Sequence, residues 1–212
     1  MRIALINGSP KLNNSNSAFM LKGLETFIST GNDIIHYTIN RNPLTEEQYL
    51  ELCGMDILVI AFPLYIDAIP SHLFRMFVTL EEYMKTERKK DIYVYAIANN
   101  GFYEGKQNHI AFEIINNWCL RCGLHFGQGI AQGGGEMIGF MEKVPLGHGP
   151  LKNLGNTMKA LAANLQARQT EPSALFSPNF PRFAWRFAAT HFFWNASAKK
   201  NGLNKKVIRK RL

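Results

Sequence analysis

The sequence predicts a doubly wound α/β domain with five parallel strands in the order 2-1-3-4-5, followed by a helical tail. Three observations predict it. Short apolar runs alternate with segments of helical periodicity from residue 2 to residue 166. Two of those runs, DILVIAF at 56–62 and DIYVYAIA at 91–98, are continuous rather than alternating, as parallel strands buried on both faces must be. The intervening segments are long enough for crossovers, and 2-1-3-4-5 is a common order for such a sheet.

The elements follow in order. Residues 2–6 are an apolar first strand, and 7–16 a loop rich in Gly, Ser, Pro and Asn. A helix over 17–28 repeats Ala18, Leu21, Leu24 and Phe27 near helical spacing. Residues 33–39 are a second strand, and Thr45-Glu46-Glu47 opens a helix to 53 with acids in its first turn. After the third strand at 56–62 and a loop over 63–69, Pro70 starts a helix reaching about residue 84. The fourth strand at 91–98 leads to a loop over 99–105 and a helix over 107–122, with Gly123 closing it as a C′ residue. Residues 125–131 are the fifth strand. Gly133-Gly134-Gly135-Glu136 reads as a flexible turn, either bordering the site or only joining elements. Residues 151–166 are the last helix of the domain. Three prolines mark 167–181 as a linker, and 182–212 is a basic, aromatic tail. The division is therefore 1–166, 167–181 and 182–212.

Composition sets bounds. With 46% hydrophobic and 19% charged residues the 212-residue chain is globular. No apolar run approaches the roughly eighteen residues of a membrane span. MRIALING passes straight into a Gly-Ser-Pro turn, which reads as a first strand and not a signal peptide, so a cytoplasmic location is expected. The net charge of +8 is uneven. Nine of 24 Lys and Arg, and no Asp or Glu, fall in 181–212, leaving fifteen basic and sixteen acidic residues in 1–180. The domain is thus nearly neutral and the tail carries the charge. Cys119 and Cys122 have CxxC spacing, but no second pair exists and they sit late in a helix. Two packed thiols are expected, with no metal site. His109, His125 and His148 share no ligand spacing with an acid or a cysteine and read as surface or packing residues.

Right-handed crossovers and the reversal of strand order place a crevice at the carboxyl ends of strands one and three. Loops 7–16, 63–69 and 99–105 face it. The first has the chemistry of an anion site. Gly8 permits a tight turn, and the N–H groups and dipole of the following helix favour negative charge. Ser9, Asn14, Ser15, Asn16 and Ser17 supply neutral donors, and Lys11 one cation. The loop lacks the Gly-Lys-Ser/Thr ending of a triphosphate loop, the G-x-G-x-x-G of a dinucleotide site and any cysteine nucleophile. A monophosphate held by neutral donors fits. The competing reading is a Ser/Asn-rich turn with a cap, which explains one or two of these residues but not five.

The phrase NGSPKLNNSNS at 7–17 resembles the phosphate loop of the NADPH-dependent FMN reductases and flavodoxin-like NAD(P)H quinone reductases. FPLYIDAIPSHLFRMF at 62–77 is similar to the flavin-ring loop of the same superfamily. The resemblance covers about residues 1–165 and implies a flavodoxin-like fold, FMN, NAD(P)H and a homodimer. It also implies that backbone groups around Leu64–Ile66 approach the ring. Pro63 and Pro70 bracket that loop, and Leu64, Tyr65 and Ile66 offer an apolar wall for a flat, mostly apolar ring. An ordinary strand-to-helix turn is the alternative. In the third loop Asn99, Asn100 and Gly101 suit the ring's pyrimidine side, and Phe102 and Tyr103 the acceptor pocket, unless this is a plain surface turn. The cysteine cluster of the superfamily's iron–sulfur members is absent, since this stretch holds only Cys53.

Expected partners are a small-molecule electron acceptor such as a quinone, a nitro or azo compound or a flavin. No side chain is nominated as catalytic, since the cofactor carries the chemistry. A non-catalytic flavin-binding carrier or regulator is the alternative function. In the tail, a helix after Pro181 brings Phe183, Phe187 and Trp194 near one another, ahead of Lys199-Lys200 and Lys205-Lys206. Packing on its own domain or a dimer partner and peripheral membrane contact through 182–212 are both open; nucleic acid is not expected.

Overall fold

The computed structural model describes residues 1–40, 42–141, 143–204 and 207. They fall into two compact units, Met1–Pro178 and Asn179–Leu212. The first holds β1 (Arg2–Asn7), α1 (Asn16–Ile28), β2 (Asp33–Thr38), α2 (Glu46–Cys53), β3 (Ile57–Pro63), α3 (Ser71–Glu87), β4 (Tyr93–Asn99), α4 (His109–Cys122), β5 (His125–Gln132), α5 (Gly135–Ile138), α6 (Lys152–Gln166) and β6 (Ala174–Phe176). The sheet order is β2-β1-β3-β4-β5-β6, every pair parallel.

The continuous apolar runs are explained by the layers. In β3, Leu58, Ile60 and Phe62 face α2, α3 and α4, while Ile57, Val59 and Ala61 face α1 and α6. β1 and β4 alternate the same way, with Ala4 and Val94 on one side and Ile3 and Tyr95 on the other. A strand with two buried faces has no polar positions to spare. The helix ends also have local causes. Thr45 and Gln48 form a reciprocal capping box at α2. Gly123 ends α4 in the left-handed conformation, φ 66°, which a side chain would strain.

Two features differ from the sequence expectation. The sheet has a sixth strand, and it lies inside the stretch read as a linker. Only three residues pair, Ala174–Phe176 against Ile130–Gln132, and prolines flank them, so no periodicity reveals the strand. It forms because the outer edge of β5 needs partners for its backbone groups. The second difference is α5, where the triple glycine was read as a flexible turn. Gly134 takes a left-handed conformation, φ 64°, and opens a short helix.

Cys119 and Cys122 are buried in the α4 core face, and burial pushes the Cys122 thiol up to about 12. Near them, α3 and α4 are locked by stacking of Phe77 on Trp118 (4.6 Å between centroids) and by the Trp118 indole N–H donating to the Phe77 carbonyl. Above that contact, the buried Glu81 carboxylate accepts from Arg121 Nη2 and from Lys85 Nζ, both at 2.6 Å. The Arg121 guanidinium first, then the Lys85 ammonium, hold the Glu81 carboxyl down at about 2.

A depressed folded-state pKa stabilises the fold above the unfolded carboxylate range, and that contribution is lost as pH falls through about 2. Glu81→Gln should therefore lower the thermal midpoint at neutral pH by about 4–8 °C, for a loss of about 2 kcal/mol. The gap between variant and parent should close between about pH 4 and pH 2. Thermal unfolding followed by circular dichroism across that range checks both.

Candidate functional site

At the carboxyl ends of β1, β3 and β4 the three loops bound a cleft of about 360 Å³. Ser9, Lys11, Asn16 and Ser17 line it from the first loop and helix start. Pro63, Leu64 and Tyr65 line it from the second loop, and Asn99, Asn100 and Gly101 from the third. Gly135 and Glu136, from α5, complete it. The sequence thus brought ten of fourteen nominated residues together, while Asn14, Ser15, Ile66 and Phe102 do not line the cleft.

The first loop is held by its own side chains. Asn7 Oδ1 accepts from the Ser9 N–H at 3.1 Å, and Ser9 Oγ accepts from the Lys11 N–H at 3.3 Å. Ser15 is the α1 N-cap, its hydroxyl accepting from the Ala18 N–H at 3.1 Å. That places Ser15 as a structural cap. The N–H groups of Asn16 and Ser17 still lack intrahelical acceptors and sit at the positive end of the helix. Asn14 is left-handed, φ 49°, and lines a different groove with Phe19, Lys22 and Pro145. Asn16 donates its amide to the Gly135 carbonyl at 2.6 Å, tying α1 to α5.

The loops also brace one another. His72, in the first turn of α3, bonds the Gly8 carbonyl through Nε2 at 3.1 Å, which requires a proton on that nitrogen. The Leu64 N–H donates to the Asn99 carbonyl at 2.7 Å, and the Asn99 amide donates to the Phe62 carbonyl at 3.4 Å. The Asn100 amide donates to the Glu104 carbonyl, and the Asn100 carbonyl receives the Gly135 N–H at 2.6 Å. A side chain at Gly135 has no room: its Cβ would lie 2.7 Å from Asn99 Oδ1 and 2.9 Å from the Asn100 carbonyl. Sequence reasoning missed His72 and did not commit to Gly135 or Glu136. A lone histidine two residues after a proline carries no signal, and the glycine run looks like any turn.

Two polar atoms on the cleft-lining residues are buried without a partner: Ser17 Oγ and Asn100 Oδ1. Leaving such groups unpaired costs about 1–3 kcal/mol each, so both are suited to a ligand. One is a hydroxyl beside a helix N-terminus, fit to donate to a phosphate oxygen. The other is an amide oxygen, fit to accept a ring N–H. Among the described lining residues, Lys11 is the single cation and Glu136 the single carboxylate. The donor set fits a flavin mononucleotide.

The second loop carries strain. Tyr65 and Ala68 exchange backbone hydrogen bonds, both 3.1 Å, around Ile66 at φ 48° and Asp67 at φ 58°. Two left-handed residues inside such a pair mark a type I′ turn, which favours Asn and Gly. A β-branched side chain is a poor fit there, and Ile66 is also 99% exposed.

No family model and no curated protein matches the sequence. Solved structures do. An NADH:FMN oxidoreductase (EmoB, apo form) superposes with a TM-score of 0.57 at 15% identity, covering 86% of this chain and 97% of that one. A WrbA-like flavodoxin protein from Agrobacterium tumefaciens gives 0.56 at 11% identity, covering 80% and 99%. An FMN-dependent NADH-azoreductase from Bacillus anthracis, in complex with FMN, gives 0.53 at 15% identity, covering 78% and 99%.

Relief of the turn strain is testable. Ile66→Asn should raise the thermal midpoint by about 2–4 °C, as expected for about 1 kcal/mol. An unchanged or lower midpoint would show that the left-handed conformation at Ile66 carries no cost that asparagine relieves. The parallel sheet, its strand order through β5 and these superpositions together establish the flavodoxin-like fold for this chain.

Proposed function

We propose that the cleft binds FMN and that the protein passes electrons from NADH or NADPH to a small acceptor such as a quinone, a nitro or azo compound or a flavin. The observation that carries the proposal is the pair of buried, partnerless polar atoms, Ser17 Oγ and Asn100 Oδ1, among residues lining one cleft. Support comes from the fold, shared with an NADH:FMN oxidoreductase and an azoreductase solved with FMN. When bound, FMN supplies two-electron acceptance from a nicotinamide and delivery to the acceptor.

The chain's own residues bind and orient. Ser9, Lys11, Ser17 and the free N–H groups of α1 hold the phosphate, while Asn16 fixes α5 against the loop. Pro63, Leu64 and Tyr65 wall the ring, and Asn99, Asn100 and Gly101 meet its polar edge. The homodimer and the cytoplasmic location belong to the same proposal. Tyr65, Ile66 and Phe102 are exposed apolar groups on the bounding loops that a second copy would cover.

The test is the visible spectrum of the protein with FMN, then with NADH or NADPH without oxygen. Flavin bands that bleach establish the oxidoreductase; flavin that binds and does not bleach leaves a carrier or regulator; no bound flavin removes the reading. Ser17→Ala should weaken FMN binding at least about tenfold, the worth of one hydrogen bond to a charged group. Asn14→Gly, outside the cleft and at a left-handed position, should leave affinity unchanged in the same titration.

A further inference from the structure

We infer that residues 182–212 are a docking element for an anionic lipid surface, lying along it rather than crossing it. The tail belongs to the second compact unit, 179–212. Residues 182–200 form one helical run: α7 (Arg182–Ala188), a π-helical segment (Ala189–Trp194) and α8 (Asn195–Lys200). No residue of the three segments is buried. That is unusual for a stretch with six aromatic side chains in twelve positions, 183–194. Four of them are largely open: Phe183 at 78%, Phe192 at 75%, Trp194 at 63% and Phe187 at 58%. Their contacts within the run are local, Phe187 on His191 at 4.4 Å and on Phe192 at 6.1 Å, and Phe193 on Trp194 at 5.4 Å. A helix that keeps its rings in water has its apolar partner elsewhere.

Charge identifies the partner. Over 181–212 there are nine Lys and Arg and no carboxylate. Two copies of this tail would set nine cations against nine, and residues 1–180, with sixteen acids against fifteen bases, offer a second copy an acidic excess of only one. An anionic leaflet complements all nine. The arrangement along the chain agrees. An aromatic block at 183–194, with Arg182 and Arg186 at its start, precedes a denser basic block that starts at Lys199 and Lys200 and continues, outside the described residues, with Lys205, Lys206, Arg209, Lys210 and Arg211. Rings at headgroup depth with cations on lipid phosphates are the pattern of an interfacial anchor. No described helix is long and apolar enough to cross a bilayer, which matches a surface mode.

The experiment is vesicle flotation of the full chain at low ionic strength. One set of vesicles is phosphatidylcholine alone, the other phosphatidylcholine with about a third phosphatidylserine. Two variants accompany it: Arg186→Gln with Lys199→Gln and Lys200→Gln, and Phe183→Ser with Phe192→Ser and Trp194→Ser. Far-ultraviolet circular dichroism shows that each is folded. Flotation with the serine lipid only, weakened by half-molar salt and roughly a hundredfold weaker in the charge variant, supports the inference, since each cation near an anionic leaflet strengthens binding about fivefold. The aromatic variant should lose flotation as well. Equal flotation with neutral vesicles overturns it, because charge then selects nothing; so does no flotation with either. Concentration-dependent self-association abolished by the aromatic variant, without vesicle binding, assigns the surface to a second copy. Tighter binding to a single-stranded oligonucleotide than to the anionic vesicles assigns it to nucleic acid.

Discussion

Parallel strands cannot turn directly back on one another, so every return to the start of the sheet takes a crossover, and right-handedness fixes the face on which that crossover lies. From β1 the chain goes first to β2 on one side and then to β3 on the other. The loops leaving β1 and β3 are thereby sent to opposite faces, and a gap opens between them at the carboxyl edge. All else at the cleft depends on that reversal. It aims the N-terminus of α1 into the gap and sets loop 63–69 across from it. It also lets loop 99–105 and α5 close the remaining side. Asn16, His72 and Asn100 then clamp the parts to one another through backbone carbonyls and N–H groups.

The protein treats charge differently in its two helical layers. Between α3 and α4, Glu81 is buried and neutralised by Arg121 and Lys85, a strong local pairing with a strongly shifted carboxyl. In the cleft the polar groups are mostly hydroxyls, amides and backbone groups, with one cation, Lys11, and one carboxylate, Glu136, among the described lining residues. Hydrogen-bond geometry, rather than net charge, then decides what binds. Such a site is less sensitive to salt than one built on Arg or Lys clusters.

Legibility in the sequence followed how local each cause was. β1, β3 and β4 were visible because two-faced burial forces unbroken apolar runs. The cap at Thr45 and the stop at Gly123 were visible because their chemistry is contained in a few residues. The anion loop stood out by composition, yet composition could not separate its roles. Ser15 and Ser17 are two positions apart and both buried, but one caps the helix and the other is left without a partner. Asn14 turns away into another groove. Those distinctions depend on backbone direction, which no residue type declares. His72 was missed, and Gly135 left between bordering the site and only joining elements, because their importance lies in what comes near them from distant parts of the chain.

β6 has a consequence for how copies of the chain meet. A parallel sheet ending at β5 would present a row of unpaired N–H and carbonyl groups, an invitation to add a strand from a neighbouring molecule. The strap over 171–176 answers almost the whole row. Glu171 donates to the Gly127 carbonyl, the Pro172 carbonyl takes the Gln128 amide, Ser173 accepts from the Gly129 N–H, and Ala174–Phe176 pair with Ile130–Gln132. Two of those contacts use side chains, Gln128 and Ser173, which form no repeating ladder and cannot be copied outward into a growing fibril. The stretch is short, proline-flanked and partly side-chain bonded, and these traits make it a terminator of sheet growth. A chain cut at residue 166 would keep every helix of the domain and lose that protection.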